Sequence, residues 1–251
     1  MSLPIGLQLW SVKDDTAKDY VGTLEAVAQM GYDGVEFAGY GGLTGTVMRS
    51  HLDRLGLKAA GSHVGLEKLK TQLADEIAFA HAVGSLNITC PGSKPKDKAG
   101  YLELAAFLNQ TGKTLKAEGL TLSYHNHGWE FDDQGGTIGL DLLWQNTDPA
   151  LVQVELDLFW VKFAGLDPLT YLKGLGKRVP LLHYKDMDKA NPQVSTIVGS
   201  GSVDFVPITQ YAKTIGTQWL IVEQEEYDRP PLECVKLGLE NLRTQEQGVK
   251  G

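Results

Sequence analysis

Residues 5–15 read IGLQLWSVKDD, a short apolar strand that runs directly into the turn WSVKDD. An open, doubly wound sheet that binds a dinucleotide carries a glycine-rich turn after its first strand. No such turn is present, and the near-continuous apolar strand asks for a parallel sheet covered by helices. The choice then rests on how often the unit recurs.

It recurs along the whole chain. GVEFA (34–38), KAAGSHV (58–64), LNITC (86–90), LTLSY (120–124), VQVELD (152–157), VPLLHY (179–184) and WLIVEQ (219–224) follow IGLQLW (5–10). Amphipathic segments lie between them, such as DYVGTLEAVAQMG (19–31), with Val21, Leu24, Val27 and Ala28 on one helical face. Gly119 is an expected C′ residue before the fifth strand, and Ser202 or Asp204 an expected cap for the helix after VGSGS. Eight strand–helix units in 251 residues predict a (β/α)8 TIM barrel, one domain spanning 1–251.

Composition narrows the function. A net charge of −8 speaks against nucleic acid or an anionic membrane as partner. Cys90 and Cys234 are far apart and form no CxxC, so neither a disulfide framework nor a thiolate zinc site is expected. The opening MSLPIGLQLW has no charged n-region or long apolar run, so a cytoplasmic location is expected.

Function in a barrel sits where the strands end. Of the six histidines, His63, His125, His127 and His183 fall at predicted strand ends, and only His51 and His81 in helices. Glu130, Asp157, His183 and Glu223 come from successive units and converge in a closed barrel. Three carboxylates and an imidazole suit a divalent cation, with Mn²⁺ first and Mg²⁺, Co²⁺ or Zn²⁺ as alternatives. Taken singly, each residue reads more simply as a partner of the backbone or of Lys185; the shared barrel end carries the metal expectation. Trp10, Trp129 and Trp160 are candidate walls for a sugar ring, against ordinary rim packing. Glu36, His63, His125 and His127 are further substrate-binding candidates. Lys185 would bind a substrate oxygen or steady an enolate, against a salt bridge to Asp157 or Asp186. The loop VGSGSVDF (198–205) is either a backbone cradle for a hydroxyl or phosphate or a plain loop ending in a cap.

GLQLWSV, YHNHGWEF, LDLFWVKFAGLDP, LLHYKDM, VGSGSVDF and IVEQEEYD, in that order, resemble the xylose isomerase-like TIM-barrel superfamily, the sugar phosphate isomerases/epimerases, and within it the subgroup with a YHNH segment. The resemblance implies a metal, often manganese, held by Glu130 or His125, then Asp157, His183 and Glu223. It also implies a sugar or keto-sugar substrate, with a homodimer open to barrels of this kind. Trp160 stands where related ketose 3-epimerases have histidine, and HYKDMDKANPQ lacks their arginine, which points away from free-ketohexose epimerisation.

The chemistry expected is proton abstraction beside a carbonyl through a metal-stabilised enediolate, with Glu130 and Glu223 as base and acid and Lys185 assisting. The outcome is isomerisation or epimerisation. Dehydration or lyase cleavage of an inosose or 3-keto-glycoside is the alternative on the same site. From other classes come a non-catalytic sugar-binding barrel and a metal-dependent endonuclease, the latter disfavoured by the negative charge.

Overall fold

The computed structural model describes residues 2–248. Eight parallel strands close into a barrel: β1 (Ile5–Gln8), β2 (Gly34–Phe37), β3 (Lys58–His63), β4 (Asn87–Cys90), β5 (Thr121–His125), β6 (Val152–Asp157), β7 (Leu181–Tyr184) and β10 (Trp219–Val222). A two-stranded antiparallel ribbon, β8 (Asp186–Met187) with β9 (Ser195–Thr196), follows β7 and was not expected from sequence. Each strand edge is paired, with β10 between β1 and β7, so the sheet has no open edge.

Local chemistry sets the helix ends. The helix Tyr20–Met30 is capped by the Asp19 side chain, which accepts from Gly22 N–H, and stops at Gly31 with φ of 94°. Leu24 and Val27 are its fully buried residues, facing the sheet as the period predicts. Asp204 caps the helix Phe205–Ile215 by accepting from Val206 N–H, which chooses Asp204 over Ser202. The first strand is shorter than its apolar run. Gln8 Oε1 accepts Trp10 N–H at 3.0 Å and starts a 3-10 turn over Leu9–Val12, so Trp10 leaves the sheet.

The barrel interior is layered by the period-two alternation of strands. Ala60, Leu181 and Ile221, with Trp219 against them, form an apolar plug at the lower end. Gly34 leaves room for that indole, since a Cβ there would stand 2.8 Å from the Trp219 ring. Two residues beyond Leu181 and Ile221 come His183 and Glu223. The plug thus gives way to buried polar groups towards the C-terminal mouth. Apolar outward faces pack on the helices, with Leu7, Val35, Phe37, Leu156, Leu182 and Val222 all buried.

Candidate active site

The end of β5 brings His125 and His127 to the site, and the residues of YHNHGWEF divide several tasks. His125 is the last inward residue of the strand and is buried. Asn126 ties β5 to β6: its Oδ1 accepts Asp157 N–H at 3.0 Å and its Nδ2 donates to Asp157 O at 3.4 Å. His127 lies flat on Trp129, ring centroids 4.2 Å apart, and Lys94 Nζ stands over the indole at 4.1 Å. The Trp129 N–H donates to Ser93 O.

Glu130 turns back instead of forward. A short 3-10 helix over Trp129–Phe131 aims its carboxylate at Tyr124, whose hydroxyl donates to Oε1 at 2.8 Å, while His127 N–H donates to Oε2 at 2.8 Å. Glu130 is therefore not brought to the other expected ligands, and of the two candidates at this position it is His125 that faces them. Burial pushes the Glu130 carboxyl up to about 7 despite the Tyr124 hydroxyl.

Ligand atoms of His125, Asp157, His183 and Glu223 all lie within 4.8 Å of one another, and all four side chains are buried. Asp157 uses Oδ1 to cap the helix Leu158–Phe163 by accepting from Phe159 and Trp160 N–H, and its Oδ2 is buried without a partner. That free oxygen stands 3.9 Å from His125 Nε2. His183 Nδ1 is 2.9 Å from Glu223 Oε2. Two imidazoles and two carboxylates with an orphaned buried oxygen fit a divalent cation, because an unpaired buried carboxylate oxygen is otherwise costly. Burial raises the Asp157 carboxyl in spite of the nearby Lys185 ammonium. Burial acts the same way on Glu223, but Lys185 and His183 outweigh it and hold that carboxyl down to about 2.

A second group, His63, His125, Glu155 and His183, lies deeper. Glu155 Oε2 is hydrogen-bonded to His63 Nε2 at 2.6 Å and stands 3.3 Å from His183 Nε2 and 3.1 Å from His125 Nδ1, a buried nitrogen without a hydrogen-bond partner. Burial opposes charge on His63, yet Glu36 and Glu155 raise it to about 10. Glu155 was not foreseen, although the alternation in VQVELD puts it on the same face as Asp157.

Above these groups opens a cavity of about 360 Å³. His63, His125 and His127 line one part, Glu223 and Glu225 another, and Trp10, Ala38 and Pro91 complete its wall. Burial keeps His127 neutral, its imidazole pushed down to about 3. Trp10 is 45% exposed with Lys13 Nζ 4.3 Å over its ring. Three expectations change here. Glu36 is wholly buried below the cavity, bonded to Gln8, His63 and His183, so it meets no substrate. Lys185 is 2% exposed and pairs with Glu225 at 2.5 Å, not with Asp157 or Asp186, with its Nζ 5.1 Å over Trp160. Trp160 packs edge-on against Phe159 and Phe163, beside the cavity and not in its wall. The VGSGSVDF loop also keeps its amides to itself. Asp186 accepts from the N–H groups of Gly199, Gly201 and Val203.

The profile of the xylose isomerase-like TIM barrel family matches residues 24–245. The chain belongs to that family. Among curated members of comparable reach, it is 25% identical to an inosose dehydratase of Geobacillus kaustophilus over 81% of this chain and 79% of that one. An inosose dehydratase of Clostridium tetani is 28% identical over 50% of this chain and 47% of its own length. The chain thus spans about half the length of several curated relatives it matches. A sugar phosphate isomerase/epimerase of Parabacteroides distasonis superposes with a TM-score of 0.83 at 23% identity, covering 97% of this chain and 94% of that one. Among the described residues, no helix of this family member is long and apolar enough to cross a membrane.

Proposed function

We propose that this protein is a divalent-metal-dependent enzyme that removes the proton beside the carbonyl of a sugar or keto-sugar, with isomerisation or epimerisation as the outcome. The observation that carries the reading is the buried set His125, Asp157, His183 and Glu223, with an unpartnered Asp157 oxygen, under a cavity walled by imidazoles and carboxylates. A divalent cation held by these four residues, manganese first, would supply Lewis acidity at the carbonyl oxygen. Glu223, unprotonated at neutral pH, is the carboxylate in the cavity wall suited to take the α-proton at an oxygen. His127, neutral and held flat by Trp129, offers a ring nitrogen to a hydroxyl. His63 offers a second contact, and Trp10 shields the mouth from water. Lys185 pairs with Glu225 and holds Glu223 anionic from behind the wall.

Dehydration is a second reading, favoured by the placement of the carboxylates. Both in the cavity wall, Glu223 and Glu225, come from the segment after β10, while Glu130 is turned away to Tyr124. Proton exchange between two carboxylates on opposite faces, as epimerisation by Glu130 and Glu223 would need, therefore lacks one partner. Removal of the α-proton by one base, with a proton passed to the β-hydroxyl so that it leaves as water, does not need it, and the inosose dehydratases among the relatives agree with that outcome.

The test is incubation with ketohexoses and inososes in D₂O with Mn²⁺, followed by NMR. Deuterium at the carbon beside the carbonyl, absent in an Asp157→Asn variant, is expected. An isomeric product supports the first outcome and an unsaturated or diketone product the second. Sugar binding without exchange, indifferent to metal, would replace both with a non-catalytic sugar-binding barrel.

A further inference from the structure

We propose that Glu36 is a positioning residue that makes Nδ1 of His183 the metal-facing nitrogen, an inference that rests on the metal reading above. A neutral imidazole carries one lone pair, and a cation needs it on the nitrogen that faces the site. The hydrogen bond made by the other nitrogen decides this. His183 Nδ1 faces Glu223 Oε2 at 2.9 Å, inside the four-residue donor set, and its Nε2 stands 2.7 Å from Glu36 Oε2. A carboxylate only accepts from a ring N–H, so without metal Glu223 and Glu36 each hold a proton on the ring; a cation that takes up Glu223 would displace the Nδ1 proton, while Glu36 keeps the one on Nε2.

Glu36 is itself clamped. Gln8 Nε2, opposite it across the β1–β2 pair, donates to the same Oε2 at 2.7 Å. Gly61 on β3 leaves space for the other oxygen, since a Cβ there would lie 2.9 Å from Glu36 Oε1. Glu155 is the rival, 3.3 Å from His183 Nε2, and both carboxylates also reach His63 Nε2; Glu155 is the nearer to His63, 2.6 Å against 3.2 Å, and Glu36 the nearer to His183, while Thr89 Oγ1 donates to the other Glu155 oxygen at 3.3 Å. The assignment is thus to Glu36, with Gln8 behind it, across three strands.

The experiment compares wild type, Glu36→Gln and Glu155→Gln. Free Mn²⁺ is titrated by electron paramagnetic resonance, melting in EDTA checks the fold, and ¹⁵N-histidine spectra of the Zn²⁺-loaded protein report which His183 nitrogen carries hydrogen. Glu36→Gln replaces a charge-assisted acceptor with an amide and is expected to weaken Mn²⁺ binding by roughly 10–100-fold, with a much smaller loss in Glu155→Gln. Wild-type His183 is expected to carry its hydrogen on Nε2. Unchanged affinity in Glu36→Gln, equal losses in both variants, or hydrogen on Nδ1 would each overturn the inference while leaving the metal site standing. A wild type that takes up no divalent cation would remove the metal reading and this inference together. Should Glu36→Gln melt too low to titrate, Gln8→Met is expected to weaken Mn²⁺ in the same direction, and wild-type affinity there overturns the proposal.

Discussion

Asp157 has two oxygens with two different jobs, and a single substitution separates them. Oδ1 caps the helix Leu158–Phe163, while Oδ2 is buried and unpartnered, 3.9 Å from His125 Nε2. Asparagine keeps a carbonyl oxygen for the cap and puts an amide where the free oxygen was. Alanine removes both. A capping side chain contributes about 1 kcal/mol. In a chain of this size 1 kcal/mol moves Tm by roughly 2–4 °C. In EDTA, Asp157→Ala should therefore melt a few degrees below Asp157→Asn. Metal linkage is larger: Mn²⁺ at about 100 times its Kd stabilises the folded state by about 2.7 kcal/mol, or roughly 5–11 °C. Wild type should show that rise on moving from EDTA to Mn²⁺, and neither variant should. Calorimetry with metal analysis by mass spectrometry reads both effects. A full Mn²⁺ shift in Asp157→Asn would refute the assignment of Oδ2 as a ligand, and no shift in wild type would refute the metal site.

Other expectations concern the surroundings. Glu130 has its carboxyl raised by burial to about 7, above its ordinary 4.5, so the folded state binds the extra proton between those values. Its contribution is complete below pH 4.5 and is lost as pH rises through 7, on the order of 3 kcal/mol; in Glu130→Gln the melting temperature in EDTA should vary less from pH 5 to 8, and an unchanged pH profile would count against it. Gly61→Ala forces a methyl against Glu36 Oε1, at 2.9 Å before relaxation, and should cost about 1–3 kcal/mol with weaker Mn²⁺ binding, measured by melting and titration. Asp186→Ala strips the acceptor from the amides of Gly199, Gly201 and Val203 and should make residues 198–205 the first site of limited proteolysis. Cleavage elsewhere first would show that the loop holds without Asp186.

The barrel and the convergence at its mouth were legible in the chain itself. Strand length, near-continuous apolar runs and the capped helices between them are local properties, and parallel strands joined by helices must bring their C-terminal ends to one rim. Asp157, His183 and Glu223 follow from that alone, because each is the last inward side chain of its unit or the next after it. Past the strand end, spacing stops predicting direction. In YHNHGWEF the choice between His125 and Glu130 depended on the 3-10 turn that folds Glu130 back onto the Tyr124 hydroxyl. Glu36 looked like a pocket residue, but its register with Gln8 and the space at Gly61 sink it beneath the site. Lys185 sits beside Asp186 in the chain, yet its ammonium meets Glu225 and Asp186 meets the loop amides. Buried charges settle on whichever partners the packed interior brings within reach, and those come from strands far apart in sequence. Periodicity gives the face a side chain occupies; only the tertiary structure gives the partner.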